Sequence, residues 1–136
     1  MQQKTAGQVA VLMALFNGAP HLQAQLDSLA RQGTDWRLWV GDDGSTDDGP
    51  QIVRDFAANQ PKDRVELLTG QGLGPGQGPA QNFRRLLQRV PDKATAVAFC
   101  DQDDVWPDDK LSRASIRRMR WARPRAGSGS FARSIG

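Results

Sequence analysis

Short apolar runs alternate along this chain with stretches in which apolar positions recur every three or four residues. The first run, Val9–Leu15 (VAVLMAL), has no polar member and predicts a strand buried on both faces, as in a parallel sheet. Asn17-Gly18 breaks it. Pro20 suits a helix's first turn, and Leu22, Leu26 and Leu29 make one helical face that Gly33 is expected to end. Trp36–Val40 predicts a second strand, and Pro50 with Ile52, Val53 and Phe56 a second helix. Val65–Thr69 reads as a third strand, and Ala80, Phe83, Leu86, Leu87 and Val90 as a third helical stripe. Thr95–Cys100 reads as a fourth strand, and Pro107, Asp108 and Leu111 as the opening of a fourth helix. Between the third strand and the third helix lies Gly70–Gly78, with five glycines and a proline, which predicts a loop.

This strict strand–helix alternation predicts an α/β fold: three layers around a mainly parallel sheet. Ligands in such sheets sit at the carboxyl ends of the strands. The acidic clusters fall there, Asp42-Asp43 after the second strand and Asp101, Asp103 and Asp104 after the fourth. Carboxylates gathered at strand ends repel one another unless a cation or a hydrogen-bonding ligand compensates. With only oxygen ligands on offer, Mg²⁺ or Mn²⁺ shared with phosphate oxygens fits best. Turn formation and helix capping explain Ser45, Thr46, Asp47 and Asp48 equally well. They explain Asp42, Asp43, Asp101 and Asp103 less well.

Composition and charge narrow the picture. The single cysteine, Cys100, precludes an internal disulfide and fits a reducing compartment, and the single histidine, His21, leaves no Cys/His zinc cage. The longest apolar run is eight residues, Val9–Phe16, against the roughly 20 a membrane-spanning helix needs. The net charge of +3 conceals a division, because 8 of the 18 basic residues and none of the acids lie in residues 110–136. Any nucleic-acid reading would rest on that tail alone, and no specific nucleic-acid partner is expected. A calcium loop begun at Asp43 has Asp48 where glycine belongs and Arg54 where glutamate belongs. The glycine-rich stretch lacks the Gly-Lys-Ser/Thr ending of a phosphate-binding loop.

Four segments in order, Val9–Phe16 with Asn17, VGDDGSTD (Val40–Asp47), GPAQNF (Gly78–Phe83) and FCDQDDVWPDDKL (Phe99–Leu111), together resemble the family-2 glycosyltransferases of the GT-A fold. The last segment looks most like the rhamnosyltransferase-like enzymes of bacterial surface polysaccharide synthesis. The resemblance implies binding of a nucleoside-diphosphate sugar with Mg²⁺ or Mn²⁺ and sugar transfer to a saccharide or lipid-linked acceptor. It implies a cytoplasmic protein, with peripheral association at the inner face of the membrane. Asp43 matches the acid that hydrogen-bonds the nucleotide's pyrimidine, and Phe16 the strand end lining the base pocket. Asp101 and Asp103 match the two acids of the DxD motif, Asp101 toward the ribose and Asp103 as the metal ligand. Asn82 matches a position near the donor pocket. Ala14 and Gln81 stand where many members carry a hydroxyl residue and an arginine, respectively.

The domain expected from the resemblance covers residues 8–113, followed by a basic, low-order tail at 114–136. That tail looks like out-of-frame translation or the end of a truncated gene, and no acid follows Asp109. A truncated, weakly active or inactive form is therefore expected, with its catalytic base unassigned. Two other readings compete. Asp101-Gln102-Asp103-Asp104-Val105 fits the DxDx(T/V) pattern of haloacid-dehalogenase-like phosphotransferases, with Asp101 as nucleophile and Asp103 as acid/base. A non-catalytic binder acting through the basic tail is the other.

Overall fold

The computed structural model describes residues 8–69, 78–101 and 103–116. Strands β1 (Val9–Leu15), β2 (Trp36–Asp42), β3 (Val65–Leu68) and β4 (Ala96–Asp101) form one sheet in the order β3-β2-β1-β4. All three pairings are parallel. Helices α1 (Ala19–Ala30), α2 (Gly49–Ala58), α3 (Gly78–Leu87) and α4 (Lys110–Ile116) alternate with the strands.

Side-chain alternation along each strand divides the core in two. Val9, Val11, Met13 and Leu15 of β1, with Trp36, Leu38 and Val40 of β2, face α1, α2 and Leu111 of α4. Ala10, Leu12, Trp39 and Val97 face the other way, onto Leu86, Leu87 and Val90 at the end of α3. The sheet is thus sandwiched between helices, as its run of apolar positions predicts. Trp36, Trp39 and Trp106 are all buried packing residues.

The elements differ from the sequence expectation mainly at their ends. α1 stops at Ala30, and Arg31 caps it in a right-handed conformation, so Gly33 is not the terminator. Gln32 holds the chain there instead, through its buried side chain. Pro107 lies three residues ahead of α4 in a turn, its carbonyl accepting the Lys110 N–H at 3.1 Å. Pro50 does sit in the first turn of α2. The expected Gly70–Gly78 loop falls almost wholly outside the described residues, as does most of the expected basic tail. α4 continues to Ile116.

Candidate functional site

Strand order decides where a ligand can enter. The chain runs outward from β1 to β2 to β3, then returns to place β4 on β1's other side. The crossover helices follow: α1 and α2 pack on one face and α3 on the other. The reversal between β1 and β4 is a topological switch point, the place in the strand order at which ligands of open α/β sheets bind. Register fixes what borders it. Asp42 pairs with Leu15 on one side of β1, and Asp101 pairs with Ala14 on the other. All these ends point the same way, so Asp42-Asp43 and Asp101 flank β1 two strand spacings, about 10 Å, apart.

The β2 end is buried and heavily bonded. Asp42 and Asp43 are only 5% and 7% exposed. The Asp43 N–H donates to the Leu15 carbonyl at 2.9 Å, continuing the ladder one residue past the strand. Both Asp42 carboxylate oxygens accept the Ser45 N–H at 3.2 Å, across a turn in which Gly44 takes a φ of 93°. Asn17, itself at φ 49°, stitches this loop to β1. Its N–H donates to the Ser45 hydroxyl at 2.9 Å, and its Oδ1 accepts the Thr46 N–H at 2.8 Å. Asp47 serves two helices at once, accepting the Ala19 N–H of α1 at 3.0 Å and the Gly49 N–H of α2 at 2.9 Å. Ser45, Thr46 and Asp47 therefore do the structural work of turns and caps. Phe16, just beyond β1, is 46% exposed beside this loop.

Asn82 is fully buried. Its Nδ2 donates to the Gly41 carbonyl, and its Oδ1 accepts from Arg85 Nη2 at 3.1 Å. Arg85 Nη2 also lies 3.3 Å from the Asp42 carbonyl and 3.5 Å from that of Leu68.

The β4 end is open. Asp101, Asp103, Asp104 and Val105 are exposed, and the Asp104 N–H closes a turn onto the Asp101 carbonyl at 3.3 Å. Among the described residues no cation pairs with Asp101 or Asp103. The segment after them is held from below by polar residues of α1 and of the turn that follows it. The Ser28 hydroxyl accepts the Trp106 N–H at 3.0 Å. Gln32 donates to the Pro107 carbonyl at 2.7 Å and accepts the Leu111 N–H at 3.0 Å. Gln25 donates to the Cys100 sulfur. Burial pushes the Cys100 thiol up to about 12, so it is an inert core group rather than a nucleophile. The sequence reading passed over Gln25, Ser28 and Gln32. Their signal was a polar stripe at spacings of three and four beside the apolar one.

Among the described residues no group of three or more Asp, Glu, His or Cys gathers as a metal cage. Two exposed carboxylates on one turn fit a hard cation that takes its other ligands from a phosphate-bearing partner and water. A shallow groove at the opposite, amino end of the strands, bordered by Trp36, Lys62, Arg64 and Lys93, contains none of the strand-end aspartates. Among the described residues no helix is long and apolar enough to cross a membrane.

Comparison with known proteins agrees with this fold. The model for glycosyl transferase family 2 matches residues 10–115. The dTDP-rhamnosyl transferase RfbG of Shigella flexneri is 33% identical over 104 residues, covering 75% of this chain and 35% of RfbG. The mannosyltransferase PcManGT of Pyrobaculum calidifontis, solved with GDP-Man and Mn²⁺, superposes with a TM-score of 0.71 at 27% identity. That match covers 79% of this chain and 31% of PcManGT. TarS 1-349 of S. aureus superposes with a TM-score of 0.70 at 24% identity over 80% of this chain and 31% of that one, a likeness of fold. The chain thus spans about a third of the length of the curated relatives it matches. These matches favour the sugar-transfer reading over the phosphotransferase one.

Proposed function

Because the chain belongs to glycosyl transferase family 2, we propose that residues 8–113 form the donor side of a sugar transferase. They bind a nucleoside-diphosphate sugar for transfer to a saccharide or lipid-linked acceptor. The observation that carries this reading is the register that sets Asp42-Asp43 and Asp101 on either side of β1 at a switch point. Asp43 accepts a hydrogen bond from the nucleobase, and exposed Phe16 offers an apolar face beside it. Asp101 accepts from the ribose hydroxyls. Asp103 is the protein's ligand to Mg²⁺ or Mn²⁺. Asn82 lies in the wall behind the base pocket. Bound there, the cation would neutralise charge building on the departing diphosphate. Likeness to a rhamnosyl transferase and to a mannosyltransferase solved with Mn²⁺ supports both the donor class and the metal. A cytoplasmic location, at the inner face of the membrane where lipid-linked acceptors are made, fits this role.

Calorimetric titration with a panel of nucleoside diphosphates, with and without Mn²⁺, tests the proposal. The expected result is metal-dependent binding of one or two of them, abolished in Asp43→Ala and stripped of its metal dependence in Asp103→Asn. Binding that ignores both substitutions would overturn it.

A further inference from the structure

We propose that Asn82 and Arg85 are positioning residues, which tie the end of β2 to α3 and so set the direction in which Asp43 faces the donor. The inference rests on the assignment of Asp43 to the nucleobase. β3 is four residues long, and its pairing with β2 ends at Gly41↔Leu68. β2 continues to Asp42, and the buried Asp43 follows directly. α3 adds donors to the carbonyls at the end of β2: Asn82 Nδ2 to Gly41, and Arg85 Nη2 to Asp42. The same guanidinium reaches the last carbonyl of β3, at Leu68, and so ties both strand ends to one side chain.

The chemistry permits only this orientation of the amide. A carbonyl cannot donate and a guanidinium cannot accept, so Asn82 must turn its NH₂ to Gly41 and its oxygen to Arg85. Both ends are used inside the protein, and the side chain is fully buried. Asn82 therefore acts on a donor through the backbone of Gly41, Asp42 and Asp43 rather than by touching it. Gly41 completes the device, since a Cβ there would lie 2.1 Å from Asn82 Oδ1. Aspartate at 82 would keep the bond to Arg85 but set an oxygen against the Gly41 carbonyl. Lysine at 85 would keep the charge on a shorter, unbranched side chain, whose ammonium falls short of the three acceptors that Nη2 reaches.

The test uses the 136-residue chain and three variants: Asn82→Asp, Arg85→Lys and, as control, Asp43→Ala. Amide NMR spectra without ligand report the Asp43 and Ser45 N–H environments. Titrations with thymidine diphosphate plus Mn²⁺, and with Mn²⁺ alone, report the site. In both positioning variants the Asp43 and Ser45 amides should shift, nucleotide affinity should fall about 10-fold, and affinity for Mn²⁺ alone should hold. A general loss of structure would instead weaken both ligands together, and would overturn the assignment. So would a folded Arg85→Lys with unmoved amides, or with moved amides and unchanged nucleotide affinity. Should Asn82→Asp fail to fold, Arg85→Lys decides. If the unaltered chain binds no nucleoside diphosphate, the donor reading falls, while the amide shifts still show whether α3 directs Asp43.

Discussion

The two carboxylate-bearing strand ends that flank β1 are built in opposite ways. At the β2 end the acids are buried, and the loop after them is bonded to β1, α1 and α2. At the β4 end Asp101 and Asp103 stand in solvent, and side-chain hydrogen bonds from Ser28 and Gln32 hold the chain downstream of them. The difference matches two kinds of task. A group that reads a base by hydrogen bonding gains from a fixed direction, because a misdirected acceptor loses most of the bond. A hard cation keeps several waters and exchanges them, so its protein ligands do better exposed.

The contrast can be broken first where it is tightest. Gly41→Ala would press a Cβ against Asn82 Oδ1, and should cost about 2–3 kcal/mol in urea unfolding. The double variant with Asn82→Ala should cost less than the two single losses together, since the clash and its partner vanish at once. Gln32→Ala leaves the Leu111 N–H and the Pro107 carbonyl without their side-chain partner. It should cost about 1–2 kcal/mol and weaken Mn²⁺ binding, with the Asp43 amide resonance unmoved.

A pH series sharpens the comparison at the root of the open end. Folding raises the Cys100 thiol from 9.0 to about 12. Between those values the unfolded chain has released a proton that the folded chain retains. The stabilisation is therefore complete below pH 9 and is lost as pH rises through that window, by at most about 1.4 kcal/mol per pH unit. Urea midpoints measured at pH 8 and pH 10.5 should fall in the parent chain more than in Cys100→Ala. The smallest effects belong to the exposed acids. Asp103→Asn should leave stability within about 0.5 kcal/mol while reducing metal-dependent nucleotide binding. Asp108→Asn removes only an ion pair to Arg31 whose side chains are 53% and 76% exposed, and should change neither stability nor binding measurably.

Most of the fold was legible because its signals are local. An apolar run such as Val9–Leu15 has one good solution, a strand covered on both sides, and Pro50 announces a helix start wherever the rest of the chain goes. The acids were legible as strand-end groups for the same reason. Asn82 was legible as a residue near the site, but its partners were not. Nothing local to α3 shows that the amide meets the carbonyl of Gly41, 41 positions earlier. Gln25, Ser28 and Gln32 were hidden differently. In an amphipathic helix polar residues read as solvated, and only the arrival of residues 100–111 over them makes their burial favourable. Gly33 misled because glycine commonly stops helices, whereas here the side chain of Gln32 holds the exit.

The central place of β1 has a consequence for how the molecule folds. At its start, contacts to the β2 side close 27 residues of chain, as between Gln8 and Asp35, while those to the β4 side close 87, as between Gln8 and Thr95. The longer closure costs about 1 kcal/mol more in chain entropy, and slow steps track such long-range pairings. The β1-α1-β2 unit should therefore assemble first and carry Asp43 with it, with β4 zipping on later. On the way back, β4 should be the first strand of the pair to open, and native-state hydrogen exchange should find the Val97–Cys100 amides less protected than those of Leu38–Val40. The wall proposed to read the base would then outlive the one proposed to carry the metal in every partial opening, so a bound nucleotide would keep hold of a chain that has momentarily let go of its cation.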